Sequence, residues 1–336
     1  MNVGITIGGR VGVVVIGRNE GSRLEASLAS VRNLAVPVIY VDSGSKDKSV
    51  NIAARHGAVV VELNTDRPFS AARARNEGFM TLKAWHPAID FVQFLDGDCT
   101  LQPRWLGAAL AAMDASANRA IVAGALSEFQ PDGSIYNRLC SLEWRSPTGD
   151  LKTFGSLGGI MMVRASVFAQ LGGFDAAVVA GEDAEFGVRV ALAGLTVTKI
   201  DAPMATHDAD MQRFGQWWQR AVRGGHAIGQ RAHLNGGTVL RDCVRERRST
   251  WFWGVGLPLA ILSTAILSKG ASLVLLMAYA WLGLRIYRNR RAVGESTSDA
   301  LLYARFTVIG KFANAVGLLK FCARQVAGRV QIIEYK

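Results

Sequence analysis

The chain of 336 residues has only four cysteines, Cys99, Cys140, Cys243 and Cys322, scattered without CxxC spacing. Neither a zinc site nor a disulfide framework is indicated, and reduced thiols in the cytoplasm fit this usage. No basic start runs into a long apolar stretch at the amino terminus, where Val11–Ile16 has only strand length, so a secretory leader is not expected. The first strand is followed by Gly17-Arg18-Asn19-Glu20-Gly21, which is not GxGxxG, and no GxxxxGK[ST] occurs. Dinucleotide-fingerprint and P-loop readings lose ground accordingly. A basic surplus is also missing from most of the chain. Residues 1–240 hold 23 Lys and Arg against 22 Asp and Glu, whereas 241–336 hold 15 against 5. A nucleic-acid binder would spread its basic residues over the folded recognition face, so no nucleic-acid partner is expected. Basic residues among apolar runs in a tail suit anionic lipid instead.

What is present is organised around Phe91-Val92-Gln93-Phe94-Leu95-Asp96-Gly97-Asp98. An apolar run of strand length ends in two carboxylates one residue apart, as a buried parallel strand does when it delivers charge to the carboxyl edge of a sheet. Open α/β sheets bind ligands at that edge. Paired carboxylates repel unless a cation lies between them, and Mg²⁺ or Mn²⁺ would accept their oxygens together with phosphate oxygens. A plain Asp-Gly turn is the alternative.

Alternation of strands and helices runs through the first half. Val11–Gly17 reads as a first strand, with Ser22 capping a helix to about Asn33, and Val36–Val41 as a second strand ending in Asp42. A helix to His56, a third strand Ala58–Leu63, a helix Ser70–Trp85 and the aspartate strand follow. This pattern implies a parallel sheet with right-handed crossovers. Asp42 suits a base or ribose, or else a helix cap. Of Arg73 and Arg75, which point to different faces, Arg75 is favoured for a diphosphate. Ala120–Glu128 and Phe154–Arg164 read as further strands, the latter with Gly155, Gly158 and Gly159. Between them Ser134–Thr153, with Tyr136, Trp144 and Arg145, reads as an acceptor border or a lid. Gly181-Glu182-Asp183 opens an apolar-periodic helix. There Asp183 is either a general base or a carboxylate favoured by the helix dipole. Thr196–Ile200 closes the sheet, and His207 follows in a loop, as a further metal ligand, a diphosphate contact or an exposed side chain.

Taken in order, Val13–Glu20, Asp42-Ser43-Gly44-Ser45, Ala74-Arg75-Asn76-Glu77-Gly78, Asp96-Gly97-Asp98 and Gly181-Glu182-Asp183 resemble family 2 glycosyltransferases over residues 11 to about 210. The resemblance implies an α/β GT-A fold, a Rossmann-like mixed sheet flanked by helices. It also implies a nucleoside-diphosphate sugar donor of UDP or GDP type and an inverting single displacement assisted by Mg²⁺ or Mn²⁺. On this reading Asn19, Glu20, Asp42, Arg75 and Asp96 serve the donor, Asp42 at the nucleoside and Arg75 at the diphosphate. Asp98 and His207 serve the metal, Asp183 is the base, and Glu182, Trp217 and Trp218 serve the acceptor. The processive QxxRW motif is replaced by Gln216-Trp217-Trp218-Gln219-Arg220-Ala221, which implies transfer of one sugar per binding event. Trp217 and Trp218 are equally consistent with a helix packing on the domain or on a bilayer.

Beyond 240, Trp251–Ser268 is an uncharged run of 18 residues and Ala271–Leu284 another of 14. A transmembrane or re-entrant hairpin over 241–300 is expected, both ends flanked by arginines and so facing the cytoplasm. Residues 301–336, with Phe306, Ile309, Phe312, Ala313, Val316 and Leu319 at helical spacing, are expected to form an amphipathic membrane-surface helix and tail. They could equally pack against a second copy in a homo-oligomer. The expectation is therefore a catalytic domain over 1–240, held at the inner membrane, that glycosylates a polyprenyl-linked acceptor. The alternatives are a silent scaffold of a glycan assembly complex and a sugar-phosphate nucleotidyltransferase.

Overall fold

The computed structural model describes residues 9–327. In chain order it contains β1 (Val11–Gly17), α1 (Ser22–Arg32), β2 (Val38–Asp42), α2 (Ser49–Arg55), β3 (Val59–Glu62), α3 (Ala71–Trp85), β4 (Phe91–Asp96) and β5 (Cys99–Leu101). Then come α4 (Trp105–Asp114), β6 (Arg119–Glu128), α5 (Ile135–Glu143), β7 (Gly149–Asp150), β8 (Met161–Arg164), α6 (Ala165–Gln170), α7 (Glu182–Leu192) and β9 (Thr196–His207). The remainder is helical: α8 (Phe214–Leu234), α9 (Val244–Trp251), α10 (Leu257–Ala265), α11 (Met277–Ala292) and α12 (Thr297–Ala327).

The chain divides into two compact units. One holds the residues up to 129 and 143–209, the other 130–142 and helices from 210 onward. The division after β9 thus falls at 209/210, not at 240, because α8 packs along α12 within the second unit. For the same reason 241–300 and 301–327 are parts of one helical unit.

In the first unit the strands lie in the order β3-β2-β1-β4-β8-β6-β9-β5, with β7 on β9. β1 to β4 are parallel, as the alternating pattern predicts, and β8 runs antiparallel to both β4 and β6, so the sheet is mixed. Val11, Val13, Val14 and Val15 are fully buried, which is why β1 reads as a continuous β-branched run. Register then sets the site: Gly17 lies opposite Asp42 and Ile16 opposite Asp96, so both acids end their strands at one level. Phe94 from β4, Phe79 from α3, Phe168 from α6, Phe174 from the segment after α6, and Phe186 from α7 form a chain of rings with centroids 4.6–5.3 Å apart. This cluster fixes α3 and α7 on the same sheet face.

Three sequence expectations are corrected here. The strand expected over 154–164 is confined to Met161–Arg164, because Gly158 and Gly159 have positive φ and turn the chain beforehand. β9 does not stop at Ile200 but continues to His207, since it pairs with both β6 and β5. Ser22 does not cap α1; Gly21 holds the cap position, with no side-chain bond.

The second unit is held by close helix approach. At Gly225 of α8 a Cβ would lie 2.1 Å from the Asn314 carbonyl oxygen of α12, so only glycine permits this contact. α5 joins the unit through Arg138, whose guanidinium meets Asp299 of α12 at 2.7 Å. The hairpin expected over 251–287 turns at Lys269 and Gly270, both with positive φ, between α10 and α11, and α9 runs into α10 through a π turn at Phe252–Gly256. Among the described residues one helix, α12, is long and apolar enough to cross a membrane; 33% of its most apolar window is buried inside the protein. The tail expected over 328–336 lies outside the described residues.

Candidate active site

The carboxyl edge of the sheet collects acids from successive strands. β2 ends in Asp42, β4 in Asp96 and β6 in Glu128, and Asp98 follows two residues after Asp96. Facing them, Gly181 takes a left-handed conformation that starts α7 with Glu182 and Asp183 in its first turn. Carboxylates there are favoured by the exposed N–H groups and the helix dipole.

Two clusters form. In the first, Arg75 of α3, 2% exposed, donates from Nη2 to Asp96 Oδ1 at 2.6 Å and from Nη1 to Glu182 Oε1. Phe174 lies under the guanidinium at 5.9 Å. The neighbouring Asn76 locks the same geometry. Its Nδ2 donates to the Phe174 carbonyl at 2.7 Å, and the Phe174 N–H donates back to its Oδ1 at 2.9 Å. Gly159 is required as well: its φ is +75°, and a Cβ would come within 2.2 Å of Arg75 Nη2. Its N–H donates to Asp183 Oδ2 at 2.9 Å, so one residue makes room for the arginine and positions the candidate base. Burial pushes both the Asp96 and Glu182 carboxyls up, and neighbouring acids add to it, with Arg75 opposing. Burial lowers the Arg75 pKa, but Asp96 and Glu182 outweigh it and the net shift is upward.

In the second cluster, His207 closes β9 opposite Glu128 of β6 and Cys99 of β5. His207 Nδ1 meets Glu128 Oε2 at 3.2 Å, and the Ala209 N–H donates to Glu128 Oε1 at 3.0 Å. Because an ionised carboxylate only accepts, the neutral ring carries its proton on Nδ1 and a lone pair on Nε2. Nε2 lies 3.9 Å from Asp98 Oδ1, too far for a hydrogen bond and suited to two ligands of one ion. Asp98, Cys99 and His207 form a group whose donor atoms all lie within 4.8 Å. The second carboxylate behind the histidine is the outer-shell arrangement that orients metal-ligating imidazoles. The residues therefore fit a divalent cation. Burial lowers the His207 pKa, yet Glu128 and Asp98 raise it more, for a net upward shift.

The other expected residues fall as follows. Asp42, 2% exposed, accepts from Tyr40 Oη at 2.9 Å and from the Gly44 and Ser45 N–H groups at 2.9 and 2.7 Å. It orders the loop after β2 without capping α2 by its side chain. Asn19, at φ 56°, joins that loop: its N–H donates to Ser45 Oγ at 2.9 Å, and Lys46 N–H donates to its Oδ1 at 2.7 Å. Glu20 pairs with Arg23 at 3.0 Å. Arg73 holds the Arg67 and Asn64 carbonyls at 2.9 Å, while Arg75 is enclosed by carboxylates and is not open to a diphosphate. Glu182, expected on the acceptor side, is committed to Arg75. Trp217, 5% exposed, packs edge-on against Phe306 of α12 at 4.8 Å inside the second unit, so its face is used in packing; Trp218 remains partly exposed. His207 is in a strand, not a loop. Sequence reasoning missed Glu128, Asn76 and Cys99, although Glu128 carried the signal seen at Asp42 and Asp96, an acid ending an apolar strand.

This mixed sheet with acids at its carboxyl edge defines the GT-A class of nucleotide-sugar folds. Residues 12–172 match the family model described as Glycosyl transferase family 2. The chain therefore carries a glycosyltransferase family 2 domain. An uncharacterized glycosyltransferase of Rickettsia bellii (strain RML369-C) is 46% identical over 52 residues, a stretch of 16% of this chain and 18% of that protein. Among solved structures, the mannosyltransferase PcManGT of Pyrobaculum calidifontis, in complex with GDP-Man and Mn²⁺, superposes with a TM-score of 0.60 at 20% identity, covering 92% of this chain and 87% of that one. S. aureus TarS 1–349 superposes with a TM-score of 0.53 at 15% identity, covering 95% and 92%.

Proposed function

We propose that the protein is an inverting, divalent-metal-dependent glycosyltransferase. It moves one sugar from a nucleoside-diphosphate sugar of UDP or GDP type to a polyprenyl-linked glycan at a membrane, in polysaccharide or glycolipid assembly. The observation that carries this reading is the pairing of Asp98 with a carboxylate-backed His207 at the end of the sheet. Asp98 and His207 hold Mg²⁺ or Mn²⁺, which when bound offsets charge on the departing diphosphate. Arg75 acts through Asp96 and Glu182 as a positioning residue, keeping their charges aligned under the donor. Asp183, its Oδ2 fixed by Gly159, takes the proton of the acceptor hydroxyl as that oxygen attacks the anomeric carbon and the bond to the diphosphate oxygen breaks. The loops tied by Asn19, Glu20 and Asp42 receive the nucleoside.

Membrane attachment is supported within the second unit by α12 and by the turn between α10 and α11, where Ile266 and Leu267 are 89% and 86% exposed. Apolar side chains so exposed, in a unit that also carries Arg285 and Arg288 on α11, suit a bilayer with an anionic face. The test is release of nucleoside diphosphate by purified, detergent-solubilised protein given a panel of nucleotide sugars, Mn²⁺ or Mg²⁺, and membrane lipid extract. One active donor, with turnover lost on chelation and in Asp183→Asn, is the expected result. A protein that neither binds nor turns over any donor would leave the scaffold reading instead.

A further inference from the structure

The absence of zinc-like spacing in the sequence conceals a sulfur donor at the metal site. β5 and β9 are antiparallel, with Cys99 directly opposite His207, so the two side chains share a sheet face. Cys99 Sγ lies 3.4 Å from Asp98 Oδ1, and no atom of Cys99 reaches solvent. The three donors, carboxylate oxygen, thiol sulfur and imidazole nitrogen, lie close enough to meet at one ion. Among the described residues Cys140, Cys243 and Cys322 belong to no comparable group.

We propose that Cys99 Sγ is a third protein ligand of this metal site, which therefore binds thiophilic divalent ions of the zinc type more tightly than Mg²⁺ or Mn²⁺. The inference rests on the metal-site reading above and specifies its donor set. An oxygen–nitrogen–sulfur set ranks divalent ions in the order of increasing covalency, with zinc above manganese and far above magnesium. Coordination through sulfur forms one metal–sulfur bond, breaks the S–H bond and releases that proton to solvent. The geometry left for substrate also differs. A six-coordinate ion with three protein ligands keeps three positions for diphosphate and water, whereas a tetrahedral zinc keeps one. Zinc is thus a tight occupant that leaves little room for the donor diphosphate, and Cys99 makes the enzyme zinc-sensitive.

The test is a Co²⁺ titration of the full-length, detergent-solubilised protein without nucleotide, followed by absorbance. Wild type is expected to develop the near-ultraviolet sulfur-to-cobalt charge-transfer band, saturating at one ion per chain. Cys99→Ser is expected to lose that band and bind Co²⁺ about 100-fold more weakly, the upper end of what even an outer-shell partner contributes. Cadmium NMR of the wild type gives the same answer without a variant, since a thiolate-bound cadmium resonates far downfield of one bound through oxygen and nitrogen alone. Cobalt bound in wild type without the sulfur band, and lost in Asp98→Asn, overturns the role of Cys99 and leaves the metal site standing. Failure of wild type to bind cobalt, cadmium or manganese overturns both.

Discussion

Asp96 ends β4 and Asp98 follows it by two residues, yet the two meet different surroundings. Asp96 is paired inside the protein, with Arg75 bridging it to Glu182. Asp98 faces the His207 imidazole at 3.9 Å and the Cys99 thiol at 3.4 Å. One carboxylate meets a guanidinium, and the other meets an imidazole and a thiol, donors that also suit a metal cation. The two halves of the motif should therefore fail differently, one through stability and the other through ligand.

The sharpest break is Asp98→Asn. It removes a ligand charge and keeps the side chain's shape, so turnover in Mn²⁺ should fall by about 10³-fold, comparable to loss of a major transition-state contact, with the thermal midpoint lowered far less than by loss of Arg75. Parallel turnover and melting curves check this. Loss of stability equal to the loss of activity would erase the distinction between the two aspartates.

Arg75→Gln should do the reverse in kind. It leaves the buried Glu182 and the partly exposed Asp96 without their cation, and breaking a buried pair this way costs about 3–5 kcal/mol. Denaturant unfolding is expected to show that loss. Restoration of most of it by Glu182→Gln in the same chain would trace it to the stranded carboxylates. A mild effect of Arg75→Gln alone would mean that Asp96 is neutralised in some other way.

Glu128→Gln tests the outer partner of His207. An amide keeps the shape but no longer fixes the imidazole proton on Nδ1, so metal affinity should fall by about 10–100-fold while Asp98 and His207 remain. Calorimetric titration with Mn²⁺ measures it. An unchanged affinity would place Glu128 outside the metal site.

The two clusters differ in legibility for the same physical reason. Asp96, Arg75 and Asp183 stand in local motifs whose strand or helix setting can be read from period and capping. The Asp98 cluster depends on pairing between segments far apart in sequence: β9 extending to His207, with Glu128 and Cys99 as its cross-strand partners. A strand pattern ending in polar Thr206 and His207 does not announce that extension, and cysteine spacing says nothing of lateral pairing. Trp217 packs on Phe306, the packing alternative, because an aromatic at helical spacing reads the same whether it meets a sugar or another ring. The apolar runs after 250 and the Lys269-Gly270 break between them were legible, whereas the longest apolar helix lies in residues read as surface-lying.

The smallest effect lies in the helical unit and contrasts with the metal-site histidine. His226 of α8 is buried against Phe321, with Arg324 Nη1 at 3.4 Å from its Nε2. Burial, then the Arg324 charge, pushes its pKa down to about 4, from an ordinary value of 6.5. Between those values the unfolded chain takes up a proton that the folded chain refuses. The stabilising contribution is therefore complete above pH 6.5 and is lost as pH falls toward 4. His207 is shifted the other way, so acidification does not penalise its folded state over the same interval. His226→Gln should flatten the decline in melting temperature between pH 6.5 and 4 while leaving the melting temperature at neutral pH little changed. An undiminished decline in that variant would assign the acid sensitivity to the carboxylates of the first unit, and the helical packing around Arg324 would then tolerate a second positive charge.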